Sequence, residues 1–284
     1  MYESAPNAVL ERRWGLCAPT DALADDLDEA LRLLRDFGLE CCELRTVGGT
    51  PVSDMPTWQQ RGIGLRLRDR GCAAVLLDTD VGAAPLADPF WPHWSAFQRA
   101  LESAATIAAP AVRIFSFGVP EAELDAARAE VTERCARMAE AAQAHGLTLL
   151  VENRPGTYAC SGARLGDLLE GVNSPALGAL FNPAAFVARR EHPFLTAFMV
   201  TPAKSYTRCV RVRDARFEDG QPVLPNQGNG ELRELVSALA ARSFDGFYSL
   251  DPGIAGGAAS FGVALGAFET IVETLLGVAR DETG

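Results

Sequence analysis

The chain has 284 residues, of which 37 are acidic and 26 basic, giving a formal charge of −11. Hydrophobic residues make up 48% and charged residues 22%, which suits a globular enzyme and excludes a disordered chain. The negative surplus argues against general binding to nucleic-acid backbones, and no apolar run approaches the roughly 18 residues of a bilayer span, so neither nucleic acid nor membrane is an expected partner.

The opening MYESAPNAVLERRW lacks the apolar stretch of a secretory signal. Seven cysteines, an odd number with no C-x-x-C pair, read as reduced core thiols and predict a cytoplasmic protein.

In chain order, apolar runs predict strands over Trp14–Cys17, Leu39–Leu44, Ala73–Asp78, Ala111–Phe115, Leu147–Glu152, Leu177–Asn182, Cys209–Arg213 and Phe247–Asp251. Helical periodicity lies between them. Leu23, Leu27, Leu31 and Leu34 open the first stripe, which stops at Gly38. The second helix, Thr57–Arg70, is weakened by Gly62 and Gly64, and the third carries Trp94, Phe97, Leu101 and Ala104. The next runs through Leu124, Val131 and Met138, and the last two hold Leu232–Leu239 and Phe261–Leu275. Eight units averaging about 35 residues match one strand plus one helix each. Regular alternation without a dinucleotide fingerprint predicts a closed (β/α)8 TIM barrel, one domain over residues 1–284.

In such a barrel the chemistry lies where strands end. Those ends supply Glu43, Arg45, Asp78, Asp80, Arg113, Glu152, Arg154, Asn182, Arg211, Arg213, Asp214 and Asp251. The later strands are the more loaded, with Pro or Gly soon after the polar residue. Only three histidines exist, and each reads more simply as structural: His145 at a helix end, His192 on the surface, His93 in packing. The long segment Asp214–Gly230 reads either as a lid or as a surface loop. Trp58 and Trp91 serve an interface or a substrate wall, and no oligomeric state follows from them.

Four motifs in order then resemble the xylose-isomerase-like barrel superfamily: Val151-Glu152-Asn153-Arg154, Phe181-Asn182-Pro183, Arg211-Val212-Arg213-Asp214 and Ser249-Leu250-Asp251-Pro252. The resemblance implies sugar isomerase or epimerase chemistry, in which a divalent ion (Mn, Mg or Zn) held by Glu, Asp, His and Glu polarises the sugar. Here those positions read Glu152, Asn182, Arg211 and Asp251. Only the first is unchanged. An arginine removes a ligand and brings a permanent positive charge, so no tight metal is expected, with weak binding left open. Arg211 is instead expected to pair with Glu152 and Asp251. The implied catalytic set is Glu152, Asp251 and Arg211, with Arg154, Asn182, Arg213, Glu43 and Arg113 binding a small carbohydrate-type ligand. A non-catalytic barrel that binds such a ligand or an anionic metabolite is the alternative. The nuclease branch of the superfamily is disfavoured, because no histidine occupies a motif position.

Overall fold

A computed structural model describes residues 15–276. Its centre is a closed barrel of eight parallel strands: β1 (Leu16–Pro19), β2 (Cys41–Leu44), β3 (Ala73–Asp78), β4 (Ala111–Ile114), β5 (Thr148–Glu152), β6 (Leu177–Phe181), β7 (Thr207–Val212) and β8 (Phe247–Leu250). Each strand pairs with its sequence neighbours, and β8 returns to β1 through Leu16–Tyr248 and Cys17–Ser249. The expected barrel is therefore present. The first strand lies two residues later than expected, and Trp14 falls outside the described residues.

Around the barrel run α1 (Leu27–Asp36), α2 (Thr57–Asp69), α3 (Phe90–Ile107), α4 (Leu124–Ala144), α5 (Gly162–Val172), α6 (Leu232–Ala240) and α7 (Gly257–Leu276). The first apolar stripe begins at Leu23, but its helix begins at Leu27, because the Asp26 side chain caps it by accepting from Glu29 N at 2.9 Å. Gly38, at φ 68°, ends it while Leu39 N donates back to Leu34 O at 2.9 Å. The connection from β6 to β7 has no long helix. Pro183, Pro193 and Pro202 divide it into the short turns Pro183–Val187, Pro193–Phe198 and Ala203–Tyr206, since proline cannot continue a helix interior.

Contrary to expectation, Gly257–Leu275 of α7 is long and apolar enough, by length and composition, to cross a membrane. In the structure its Phe261, Leu265, Phe268 and Val272 are buried in the core. All seven cysteines are free and buried.

The strands' two-residue period sorts their side chains into two sets. Leu77, Val112, Val151, Phe181 and Val210 join the large core between barrel and helices. Their neighbours Leu76, Ala111, Leu150, Leu180 and Cys209 form a separate apolar cluster plugging the barrel interior. Two residues further along each of these five strands stand Asp78, Arg113, Glu152, Asn182 and Arg211, all of which line one cleft. An apolar plug thus supports a polar floor.

Candidate active site

The cleft occupies about 500 Å³ at the strand ends. Its floor centres on Arg211, whose side chain is only 2% exposed. Nη1 donates to Glu43 Oε2 at 2.6 Å and to Ser249 Oγ at 2.7 Å, and Ser249 in turn donates to the same Glu43 oxygen at 2.7 Å. Nη2 faces Asp78 Oδ2 and Glu152 Oε2, both at 3.5 Å. Burial by itself would push the Glu43 carboxyl up. The Arg211 guanidinium and the hydrogen bonds from Arg211 and Ser249 hold it below the usual carboxylate value instead. Burial likewise opposes the charge on Arg211, but Glu43, Glu152 and Asp251 together push its pKa well above normal.

The expected pairing of Arg211 is therefore half present. Glu152 faces it, whereas Asp251 forms its contacts elsewhere. Register explains this: Arg211 lies level with Ser249 on β8, and Asp251 stands two residues nearer the rim. There Arg213 engages it, Nη2 donating to Oδ2 at 2.5 Å and Nε to the Asp251 carbonyl at 2.9 Å. Arg45 approaches the same carboxylate at 3.5 Å while holding Asp21 at 2.9 Å.

Glu152 is fixed from three sides. Asn182 Nδ2 donates to its Oε1 at 2.8 Å, and Arg113 Nε and Arg211 Nη2 face its Oε2 at 3.4 and 3.5 Å. Asn153 ties β5 to β6 by donating to Asn182 O at 2.9 Å and accepting from Asn182 N at 2.7 Å. Arg113 forms a buried ion pair with Asp78, and burial lowers its pKa to about 10. Its guanidinium carbon stands 4.1 Å from the centroid of the Phe115 ring, and that of Arg154 stands 4.8 Å from the same centroid.

Seven of the eight residues selected from the sequence line the cleft: Glu152, Asp251, Arg211, Arg154, Asn182, Arg213 and Arg113. Glu43 does not. It is fully buried beneath the floor as a counter-ion of Arg211, which places it out of contact with the cleft. Sequence reasoning assigned no site role to Asp78, Asp80, Arg45, Phe115 or Ser249. Position at the ends of β2, β3, β4 and β8 was the signal available for them.

No histidine lines the cleft. His145 caps α4, its Nδ1 lying 2.9 Å from Ala141 O; His93 meets Phe117 edge-on; His192 pairs with Glu231 at 3.0 Å. Trp58 and Trp91 are exposed and stand outside the cleft, so they form no substrate wall there.

Asp214–Gly230 begins as a two-strand ribbon, Asp214–Ala215 against Pro222–Val223, and contributes Gly220 and Pro222 to the cleft. Asp214 anchors the ribbon by accepting from Ala215 N, Gly228 N and Gly230 N at 2.7–2.9 Å. A side chain at Gly228 or Gly230 would collide with that carboxylate, with Cβ only 2.5 or 2.7 Å from Oδ1.

A single (β/α)8 barrel with its polar residues gathered at the strand ends defines the class. Residues 22–262 match the family model of the xylose isomerase-like TIM barrel, and the chain belongs to that family. Solved structures with the same fold include a D-tagatose 3-epimerase-like protein, at 14% identity and TM-score 0.74, covering 93% of this chain and 98% of that one. Another is the probable 3-DHS dehydratase AsbF of Bacillus anthracis, at 14% identity and TM-score 0.73, covering 90% and 98%. A xylose isomerase-like TIM barrel protein from Mycobacterium smegmatis, in complex with magnesium, aligns at 15% identity and TM-score 0.67 over 93% and 97%. At these identities the likeness is one of fold. No curated protein sequence matches significantly.

Proposed function

We propose that the chain is a sugar or polyol isomerase or epimerase that moves a proton on a small carbohydrate-type metabolite, in the cytoplasm and without the family's divalent ion. The observation that carries the proposal is the meeting of Glu152 and Asp251 in one cleft with Arg211 set among the carboxylates. Glu152 takes the proton from the carbon beside a carbonyl. The bonding pair moves onto the carbonyl oxygen; when it returns to carbon, Asp251 delivers a proton drawn from solvent, and Glu152 releases to solvent the one it took. Arg213 engages Asp251 through Nε and Nη2 only, so its Nη1 is available to the developing enediolate oxygen. Arg211 acts through Glu152, because its donors are directed into the floor.

The residues present do not fit a divalent ion. A guanidinium stands 3.5 Å from the Glu152 oxygen that such an ion would take, and it has no lone pair to offer a metal. Among the described residues, no three His, Cys, Asp or Glu side chains converge as ligands. The purified protein is expected to show no thermal shift with manganese, magnesium or zinc. Arg211→His combined with Asn182→Asp is expected to acquire one. A shift in the unaltered protein overturns the metal-free reading.

The test of catalysis is solvent-deuterium exchange into a panel of aldoses and ketoses. Glu152→Gln should slow exchange by about a hundredfold or more. A second reading, a barrel that binds without turnover, draws on the ion pairs that engage Asp251 and Arg211. Binding without exchange would establish that reading in place of the enzyme.

A further inference from the structure

Five guanidiniums and four carboxylates line the cleft, in a chain whose overall charge is −11. Three of the five donate hydrogen bonds to carboxylates. Arg211 is directed into Glu43, Asp78 and Glu152, Arg213 into Asp251, and Arg45 into Asp21 and Asp251.

The other two differ. Arg113 is 5% exposed; Nη2 meets Asp78 and Nε stands 3.4 Å from Glu152 Oε2 as an ion pair without a hydrogen bond, while Nη1 has no partner at all. A buried N–H without an acceptor carries the full cost of its lost hydration, so such a group marks a place for a ligand or a water. Arg154 is exposed at the mouth. Among the described residues its side chain has no carboxylate partner and lies over the Phe115 ring. That ring also faces the Arg113 guanidinium, so one aromatic side chain positions both under-engaged cations of the cleft. A fixed guanidinium pair is suited to an oxyanion, which offers several acceptors and two-point geometry.

We propose that the ligand of this cleft carries a carboxylate or phosphate at one end, held by Arg113 and Arg154 around Phe115. The inference rests on the cleft being the substrate site, as proposed above, and it requires no turnover. The unpartnered Nη1 of Arg113 meets the oxyanion at the inner end, and Arg154 closes over it from the rim. The polyhydroxy remainder then lies toward Glu152 and Asp251. Asp80, exposed on the β3 loop, also lines this cleft and opposes a second negative charge near the rim.

Calorimetric titration of the intact protein with matched pairs tests the inference. D-Gluconate is compared with D-glucitol, and D-glucose 6-phosphate with D-glucose. The anionic member of at least one pair should bind about tenfold or more tightly, with the preferred pair showing whether carboxylate or phosphate is taken. Arg154→Ala should abolish that preference while leaving the thermal midpoint unchanged, since the side chain is exposed and unpaired. Arg154→Lys should restore part of it, keeping charge but losing the planar stack on Phe115. Equal binding of anion and neutral partner in both pairs overturns the proposal. So does failure of both anions to bind, or a preference that survives Arg154→Ala. Because the readout is binding, an anion held without deuterium exchange supports this inference and removes the enzyme reading. Exchange into a neutral sugar with no anion preference does the reverse.

Discussion

The early and late halves of the barrel reach the cleft with different charges and at different depths. Strands β5–β8 bring Glu152, Asn182, Arg211, Arg213 and Asp251. Strands β2–β4 bring Glu43 and Asp78 low in the floor, with Arg113 beside them. The shortest contact of Arg211 crosses between the halves, reaching Glu43 at 2.6 Å over a separation of 168 residues. The arginine of the late half takes its closest carboxylate, Glu43, from the early half, with Glu152 of its own half facing it at 3.5 Å. Folding and site are therefore one problem here, since closing the barrel is what neutralises the floor.

The largest expected effect comes from breaking that cross-half contact. Arg211→Met leaves Glu43 fully buried without its paired cation, and removal of one partner of a buried pair costs about 3–5 kcal/mol. Urea denaturation of the variant should read a loss of that size. Adding Glu43→Met should recover much of it, because well-packed apolar residues can replace a buried ion pair. A small loss in the single variant would break the comparison, showing that the halves do not depend on each other.

The next effect sharpens the same contact through pH. Arg211 and Ser249 hold the Glu43 carboxyl below its ordinary value of 4.5 despite its burial. A carboxylate with a lower pKa in the folded state stabilises fully above its unfolded value, and that contribution is lost as pH falls through the folded value. The thermal midpoint should therefore fall more steeply on acidification below about 4.5 in the unaltered protein than in Glu43→Gln. Parallel acid profiles would remove Glu43 from the account.

Much of this floor was legible in the sequence, but depth within it was not. Patterns such as Leu150-Val-Glu152 and Leu180-Phe-Asn182 place the polar residue on the barrel's inner face by period alone. The level at which two such residues meet depends on register between strands, which no single strand encodes. Arg211 and Asp251 both end strands, yet Arg211 lies opposite Ser249, and Asp251 stands about 7 Å further along β8. Glu43 was visible as a strand-end charge, but its depth depends on how β2 registers against β1 and β3, including the shift at Cys42/Glu43. The short turns after β6 are a different case, because Pro183, Pro193 and Pro202 announce them in the sequence itself.

The smallest expected effect belongs to the cross-half contact at the rim. Arg45 of the early half reaches Asp251 of the late half at 3.5 Å and Asp21 at 2.9 Å, with 37% of its side chain exposed. It joins the same two halves as Arg211 does, but in reach of water. Exposed ion pairs contribute about 1 kcal/mol or less, so Arg45→Met should lower stability by no more than that. Water and salt screen the rim contact, whereas the floor contact is shielded by protein. Raising ionic strength should therefore shrink the already small difference between Arg45→Met and the unaltered protein, while the Arg211→Met difference persists. If both differences respond to salt alike, floor and rim are electrostatically equivalent, and depth in the barrel is not what sets the strength of these pairs.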